Sequence, residues 1–196
     1  MGVSPALDLG FRAGLGPGDE VIVPDPHYIC YPPNITLSEG VAVPVPTRQS
    51  EDFALQPGEM EKKISPRTKV LLFGNPANPT GALMQHDTLE EVARITERHD
   101  LVVFSDQIYS TFIYGGAQFT SFPSLPGMKE RTLLLDGFSK RYGMPGWRLG
   151  YAAGPADIIG AMMDMAQHTM LCPPNPTQWA ALAALKVPQA APGAVR

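Results

Sequence analysis

The 196-residue sequence is short of cysteine, of charge and of long apolar runs, and each shortage excludes a class of function. Its two cysteines, Cys30 and Cys172, stand in no metal-binding or redox spacing, so both are read as free, buried thiols. The four histidines, His27, His86, His99 and His168, form no pair of the HExxH kind, and no protein-bound metal is expected. Charged residues make up 17% of the chain, with a net charge of -4, which gives neither nucleic acid nor an anionic membrane an electrostatic reason to bind. No apolar run approaches the length of a bilayer span, and no secretory leader pattern is present. Met1-Gly2 opens like an acylation signal, but Ala6 stands where Ser or Thr is required. A cytoplasmic protein is expected.

What is present is 44% hydrophobic residues, enough for one sizeable core or for the main domain of a larger enzyme. The 21 prolines and 19 glycines are spread along the chain, as in a domain with many short strand-to-helix loops. Ser4 is placed to cap a helix over residues 6–15, with Pro5 at its first position. Apolar runs at 21–23, 41–45, 69–73, 101–104 and 132–135 read as strands, the first broken by Pro24-Asp25-Pro26. Between them, helices are expected before Gly40, over 58–64 and over 87–98, the last with Asp87 and Glu90 as a capping box and Glu90 facing Arg94. Two more follow, over 158–170 and 178–186, before a tail at 188–196. Strands alternating with helices predict an α/β fold: three layers, αβα, around a mainly parallel sheet.

Polar residues cluster where three of these strands end. Asn78 lies in Asn75-Pro-Ala-Asn-Pro-Thr-Gly81 after the third run, Asp106 and Tyr109 follow the fourth, and Lys140 follows the fifth. In an open α/β sheet such ends converge on one crevice. Arg148 comes eight residues after Lys140, past Gly143, Pro145 and Gly146. A lysine desolvated there can form a Schiff base, and a guanidinium can grip a phosphate through two parallel hydrogen bonds. A buried carboxylate can hold a proton on a pyridine nitrogen. Together these tasks suggest pyridoxal phosphate.

The spacing of FSK and GWRLGY, with NPANPTG and SDQIY before them, resembles the class I/II aminotransferases, the fold type I pyridoxal phosphate enzymes. That resemblance implies transfer of an amino group from an amino acid to a 2-oxo acid. It makes Lys140 the cofactor lysine and catalytic base, Asp106 the partner of the pyridinium, Asn78 and Tyr109 the contacts of the phenolate oxygen, and Arg148 the phosphate clamp. Gly2, Val3 and Ser4 would form the phosphate-binding turn at a helix start, Ser139 would add a hydroxyl, and Tyr28 would stack on the ring. It also implies a homodimer in full-length form, with residues 1–187 as an incomplete cofactor-binding large domain. The family's amino-terminal segment and small carboxy-terminal domain, with its carboxylate-binding arginine, find no counterpart.

Two residues depart from the pattern. Gln107 replaces the usual Glu, which should alter a contact behind the site, and Gly137 stands where many members carry a phosphate-binding serine. Three other readings stay open on the residues alone. One is a carbon-sulfur β-lyase using the same cofactor contacts, and one is an inactive binding fragment. The third is a serine hydrolase around Gly2-Val3-Ser4-Pro5-Ala6, which lacks the strand a nucleophile elbow needs.

Overall fold

Apolar residues that alternate along the strands and are buried on both faces build one six-stranded sheet in the computed structural model, which describes residues 2–186. The strands are β1 (Glu20–Asp25), β2 (Val41–Pro46), β3 (Thr68–Gly74), β4 (Val102–Asp106), β5 (Thr132–Gly137) and β6 (Gly150–Ala153). They lie in the order β2-β1-β3-β4-β5-β6; the first five are parallel, and β6 runs antiparallel to β5. The sheet is therefore mainly parallel, as the alternation of elements predicts.

One face carries Ile22, Leu71, Phe73 and Val103, covered by α3 (Pro57–Glu61) and by Leu89, Val92 and Ile95 of α4 (His86–Arg98). The other carries Val21, Val23, Val70, Leu72, Phe104, Leu133 and Leu135. Against these pack Leu7 and Phe11 of α1 (Val3–Gly14), Ile35 of α2 (Tyr31–Leu37) and Met162 of α6 (Ala156–Thr169). The Phe11 and Phe104 rings stack at 5.0 Å, fixing α1 over the middle of the sheet. Gly74 pairs with Asp106 and Asp106 with Leu135, so β3 and β4 end level and β5 runs two residues further, to Gly137. α5 (Phe138–Arg141) and α7 (Asn175–Lys186) complete the fold, α7 contributing Ala181 to a small cluster with Phe138 and Leu149.

Several local expectations need correction. α1 begins at Val3, after Gly2 rather than after a Ser4 cap, and no side chain caps it. α4 begins at His86, so Asp87 lies inside its first turn and makes no capping bond. Glu90 does reach Arg94, at 4.0 Å. β1 runs through Pro24 to Asp25; its pairing with β3 stops at Ile22, so Pro24 is paired on the β2 side alone, as on an edge strand where proline is tolerated. Cys30 is half-buried and Cys172 exposed, in place of two buried thiols. The short antiparallel β6 is an unforeseen element. The expected tail at 188–196 lies outside the described residues. No helix among the described residues is long and apolar enough to cross a membrane.

Candidate active site

The ends of β3 and β4, at Gly74 and Asp106, and α5 directly beyond β5 line a cavity of about 250 Å³. Asp106, the last residue of β4, is buried in it. The Tyr31 hydroxyl donates to Asp106 Oδ2 at 2.8 Å, and the Ile108 backbone N–H donates to Oδ1 at 3.2 Å. Burial pushes the Asp106 carboxyl up to about 6, against the downward pull of those two bonds. Burial, followed by the Asp106 charge, raises the Tyr31 hydroxyl well above its ordinary value, so it stays a donor. No Lys, Arg or His among the described residues forms an ion pair with Asp106. A buried carboxylate without a cation suits a ligand that brings one, and a protonated ring nitrogen does so.

Tyr109 follows β4, and Lys140 Nζ stands 5.4 Å from the centre of its ring. Lys140 lies in α5, directly beyond the end of β5, as the apolar run predicts. It is exposed, however, instead of desolvated, because no described element covers it. In the loop after β3, the Asn75 side chain accepts from the Met84 N–H at 3.0 Å, and the Ala77 N–H donates to Ala82 O at 2.8 Å. Asn75 thereby holds the loop's shape and leaves Asn78 on the cavity wall. Tyr28 lines the same wall, its ring edge-on to Tyr31 at 5.5 Å.

Val3 and Ser4 in the first turn of α1 also line the cavity, as do Ser139 and Arg148. An α-helix start offers free backbone N–H groups and a partial positive charge, which suits an anion. Arg148 packs against that start: a β-carbon at Gly2 would lie only 2.6 Å from Nη2. Glycine is required there by its φ of +84°. The Arg148 Nη1 also donates to Pro145 O at 2.9 Å, which steadies the guanidinium. Every expected cofactor contact except Gly2 lines the cavity, and Gly2 sits behind Arg148.

Two details explain the departures from the motif. Gln107 is buried and turned away from the cavity, donating to Ser105 Oγ at 3.1 Å and accepting from Ser121 Oγ at 3.0 Å. At Gly137 a β-carbon would meet Leu149 O at 2.9 Å and Gly150 Cα at 3.0 Å, so β6 leaves no room for a serine. The residue that sequence reasoning missed is Tyr31. Its signal was its position three residues after Tyr28, which can turn two aromatics to one side of a helical turn.

Residues 1–192 match the profile of the family described as aminotransferase class I and II. The chain belongs to that family. Among its relatives, a putative aminotransferase, YugH, of Bacillus subtilis is 41% identical over 186 residues, covering 95% of this chain and 48% of its own. An aspartate aminotransferase of Pyrococcus abyssi is 40% identical over 186 residues, with the same coverage of 95% and 48%. The solved aromatic aminotransferase from Pyrococcus horikoshii superposes with a TM-score of 0.93 at 41% identity, over 95% of this chain and 50% of that one. The aspartate aminotransferase of Thermus thermophilus with maleate gives 0.91 at 40% identity, over 94% and 48%. This aminotransferase-family chain thus spans about half the length of the relatives it matches.

Proposed function

We propose that this chain holds pyridoxal 5'-phosphate and serves the transfer of an amino group from an amino acid to a 2-oxo acid. The observation that carries the reading is Asp106, a buried carboxylate with no ion-pair partner among the described residues, in a cavity that Lys140 and Arg148 also line. Family membership supports the reaction class, and the family together with the fit of these residues supports the cofactor. When bound, the cofactor supplies an electron sink for a carbanion at the substrate's Cα.

The protein's own groups divide the remaining work. Asp106, which has no ion-pair partner among the described residues, would keep a proton on the ring nitrogen. Asn78 and Tyr109 would donate hydrogen bonds to the phenolate oxygen. Tyr28 covers a face of the ring and keeps water from it. The first-turn amides of α1 at Val3 and Ser4, the Ser139 hydroxyl and the Arg148 guanidinium bind the phosphate. Lys140 Nζ would hold the cofactor and, once the substrate's amine had displaced it, would be free to take the proton from the substrate's Cα.

On this reading residues 1–187 are an incomplete cofactor-binding large domain, belonging to a cytoplasmic protein that is a homodimer in its full-length form. Exposed apolar side chains at Trp147, Tyr151, Met163, Leu171 and Trp179 favour association, and two cysteines without a disulfide suit a reducing compartment.

The test is an absorbance spectrum of the purified chain with added pyridoxal phosphate, before and after borohydride, beside Lys140→Ala. A visible band in wild type, trapped by borohydride on the peptide containing Lys140 and absent from the variant, is expected. No band in a folded wild-type sample would overturn the proposal. Product analysis then reads the reaction: a transferred amino group is expected, whereas pyruvate and ammonia would reassign the site to β-elimination.

A further inference from the structure

Between Gly137, the last residue of β5, and Gly150, the first of β6, the chain makes one excursion from the sheet that carries Ser139, Lys140 and Arg148. Asp136 and Tyr151 face each other across the antiparallel ladder at the base of that excursion. The Tyr151 hydroxyl donates to Asp136 Oδ2 at 3.0 Å, and the Gly137 N–H donates to Asp136 Oδ1 at 2.6 Å. Asp136 is 8% exposed. The Tyr151 hydroxyl is pushed up to about 12, chiefly by burial, and so keeps the proton that it donates.

The final pair of the ladder is Gly137 with Gly150, and neither has a side chain. Asp136 and Tyr151 are therefore the last pair that side chains can tie before the two arms separate. Above them the Phe138 N–H donates to Leu149 O at 3.1 Å, and the Tyr151 ring stands edge-on to Phe138 at 6.4 Å. Asp136 lies four residues before Lys140, and Tyr151 three residues after Arg148, so both reactive side chains hang on short levers from this point. Neither Asp136 nor Tyr151 lines the cavity.

We infer that Asp136 and Tyr151 are positioning residues, whose hydrogen bond sets the separation of Lys140 from Arg148 so that one ligand meets both. The inference rests on the proposed function. It makes a distinction that a merely structural role does not. A ligand that needs both Lys140 and Arg148 suffers when the tie is cut, whereas one that needs Lys140 alone does not.

The two ligands are pyridoxal 5'-phosphate and pyridoxal, which lacks the phosphate. Their dissociation constants are measured by absorbance on the full chain for wild type, Tyr151→Phe, Asp136→Ala and Asp136→Asn, with thermal melts to establish folding. Wild type is expected to prefer the phosphorylated compound. Tyr151→Phe and Asp136→Ala should reduce that preference about tenfold, the effect of degrading one charge-assisted contact. Asp136→Asn should keep it near wild type, because its carbonyl can accept from Gly137 and its amide N–H can donate to the Tyr151 oxygen. Tyr151→Phe removes a single oxygen from a side chain that is 46% exposed, so it decides the matter should Asp136→Ala fail to fold. An unchanged preference in folded Tyr151→Phe, with both ligands weakened equally or not at all, would overturn the inference and leave the proposed function standing. Absence of a band from wild type with either compound would overturn the proposed function, and the inference with it.

Discussion

Tyr31 and Asp106, 75 positions apart in the chain, meet through one hydrogen bond of 2.8 Å from the phenolic hydroxyl to Oδ2. Both groups are buried, at 3% and 6% exposure, so water cannot replace either partner. Tyr31→Phe should cost about 1.5–3 kcal/mol at pH 7, the range for a hydrogen bond to a charged group. The measurement is urea unfolding at pH 7 and at pH 4. Below about 6 the folded carboxyl holds its own proton, so the loss at pH 4 should shrink towards the about 1 kcal/mol of a neutral bond. An equal loss at both pH values would mean that the Asp106 carboxyl does not change its charge between them.

Asp106 itself should weaken the ligand-free fold. Its carboxyl is raised from 3.8 to about 6, mainly by burial. Between these values the unfolded chain loses its proton at this position while the folded chain keeps it. The folded state binds more protons there, so stability falls as pH rises through the window, by about 3 kcal/mol in all. Asp106→Asn removes that slope and should raise stability at pH 7 by up to about 3 kcal/mol, while cofactor capture is lost. The difference between wild-type and variant unfolding curves from pH 3.5 to pH 7 isolates this residue from other carboxylates. A difference that stays flat across the window, or a variant less stable at pH 7, would contradict the account.

How much of this is legible in the sequence depends on whether a feature is local. Asn78, Asp106 and Lys140 each follow an apolar run, and residues placed just after parallel strands reach the same edge of the sheet whatever the loops do. The pairing of Tyr31 with Asp106 is not legible, because it joins distant positions through the direction of one side chain. Nor is β6: Gly150, Tyr151, Ala152 and Ala153 show no alternation of branched apolar residues, and an antiparallel return is foreign to the strand-helix-strand rhythm. Ser4-Pro5 reads locally as a cap and a first helical position. The helix starts earlier because Gly2 adopts a backbone conformation reserved for glycine, which turns the chain before Ser4 is reached. Whether Lys140 is covered depends on which elements fold over it, a property that no window around Lys140 contains.

Gly2→Ala puts that start under test. The new β-carbon would stand 2.6 Å from Arg148 Nη2, at a φ of +84° that L side chains rarely adopt. The strain should cost about 1–3 kcal/mol in urea unfolding. Displacing the guanidinium should also weaken binding of pyridoxal phosphate about tenfold while leaving pyridoxal little changed, since only the former needs Arg148. Affinity for both compounds equal to wild type would mean that Arg148 does not act at the helix start.

Gly137→Ser would restore the hydroxyl that many class I and II aminotransferases are expected to carry at this position, and the simplest forecast is tighter phosphate binding. The packing predicts the reverse. The serine β-carbon would approach Leu149 O to 2.9 Å and Gly150 Cα to 3.0 Å, both backbone atoms that cannot rotate away. Relief has to come from parting β5 and β6 at their last pair, the point from which the Lys140 and Arg148 arms leave the sheet. The variant should lose about 1–3 kcal/mol of stability, the usual cost of overpacking, and should bind pyridoxal phosphate more weakly than wild type. Urea unfolding and the absorbance titration together decide it. A variant that is as stable as wild type and binds the cofactor more tightly would show that β6 can give way, and that the glycine is not required by the strand beside it.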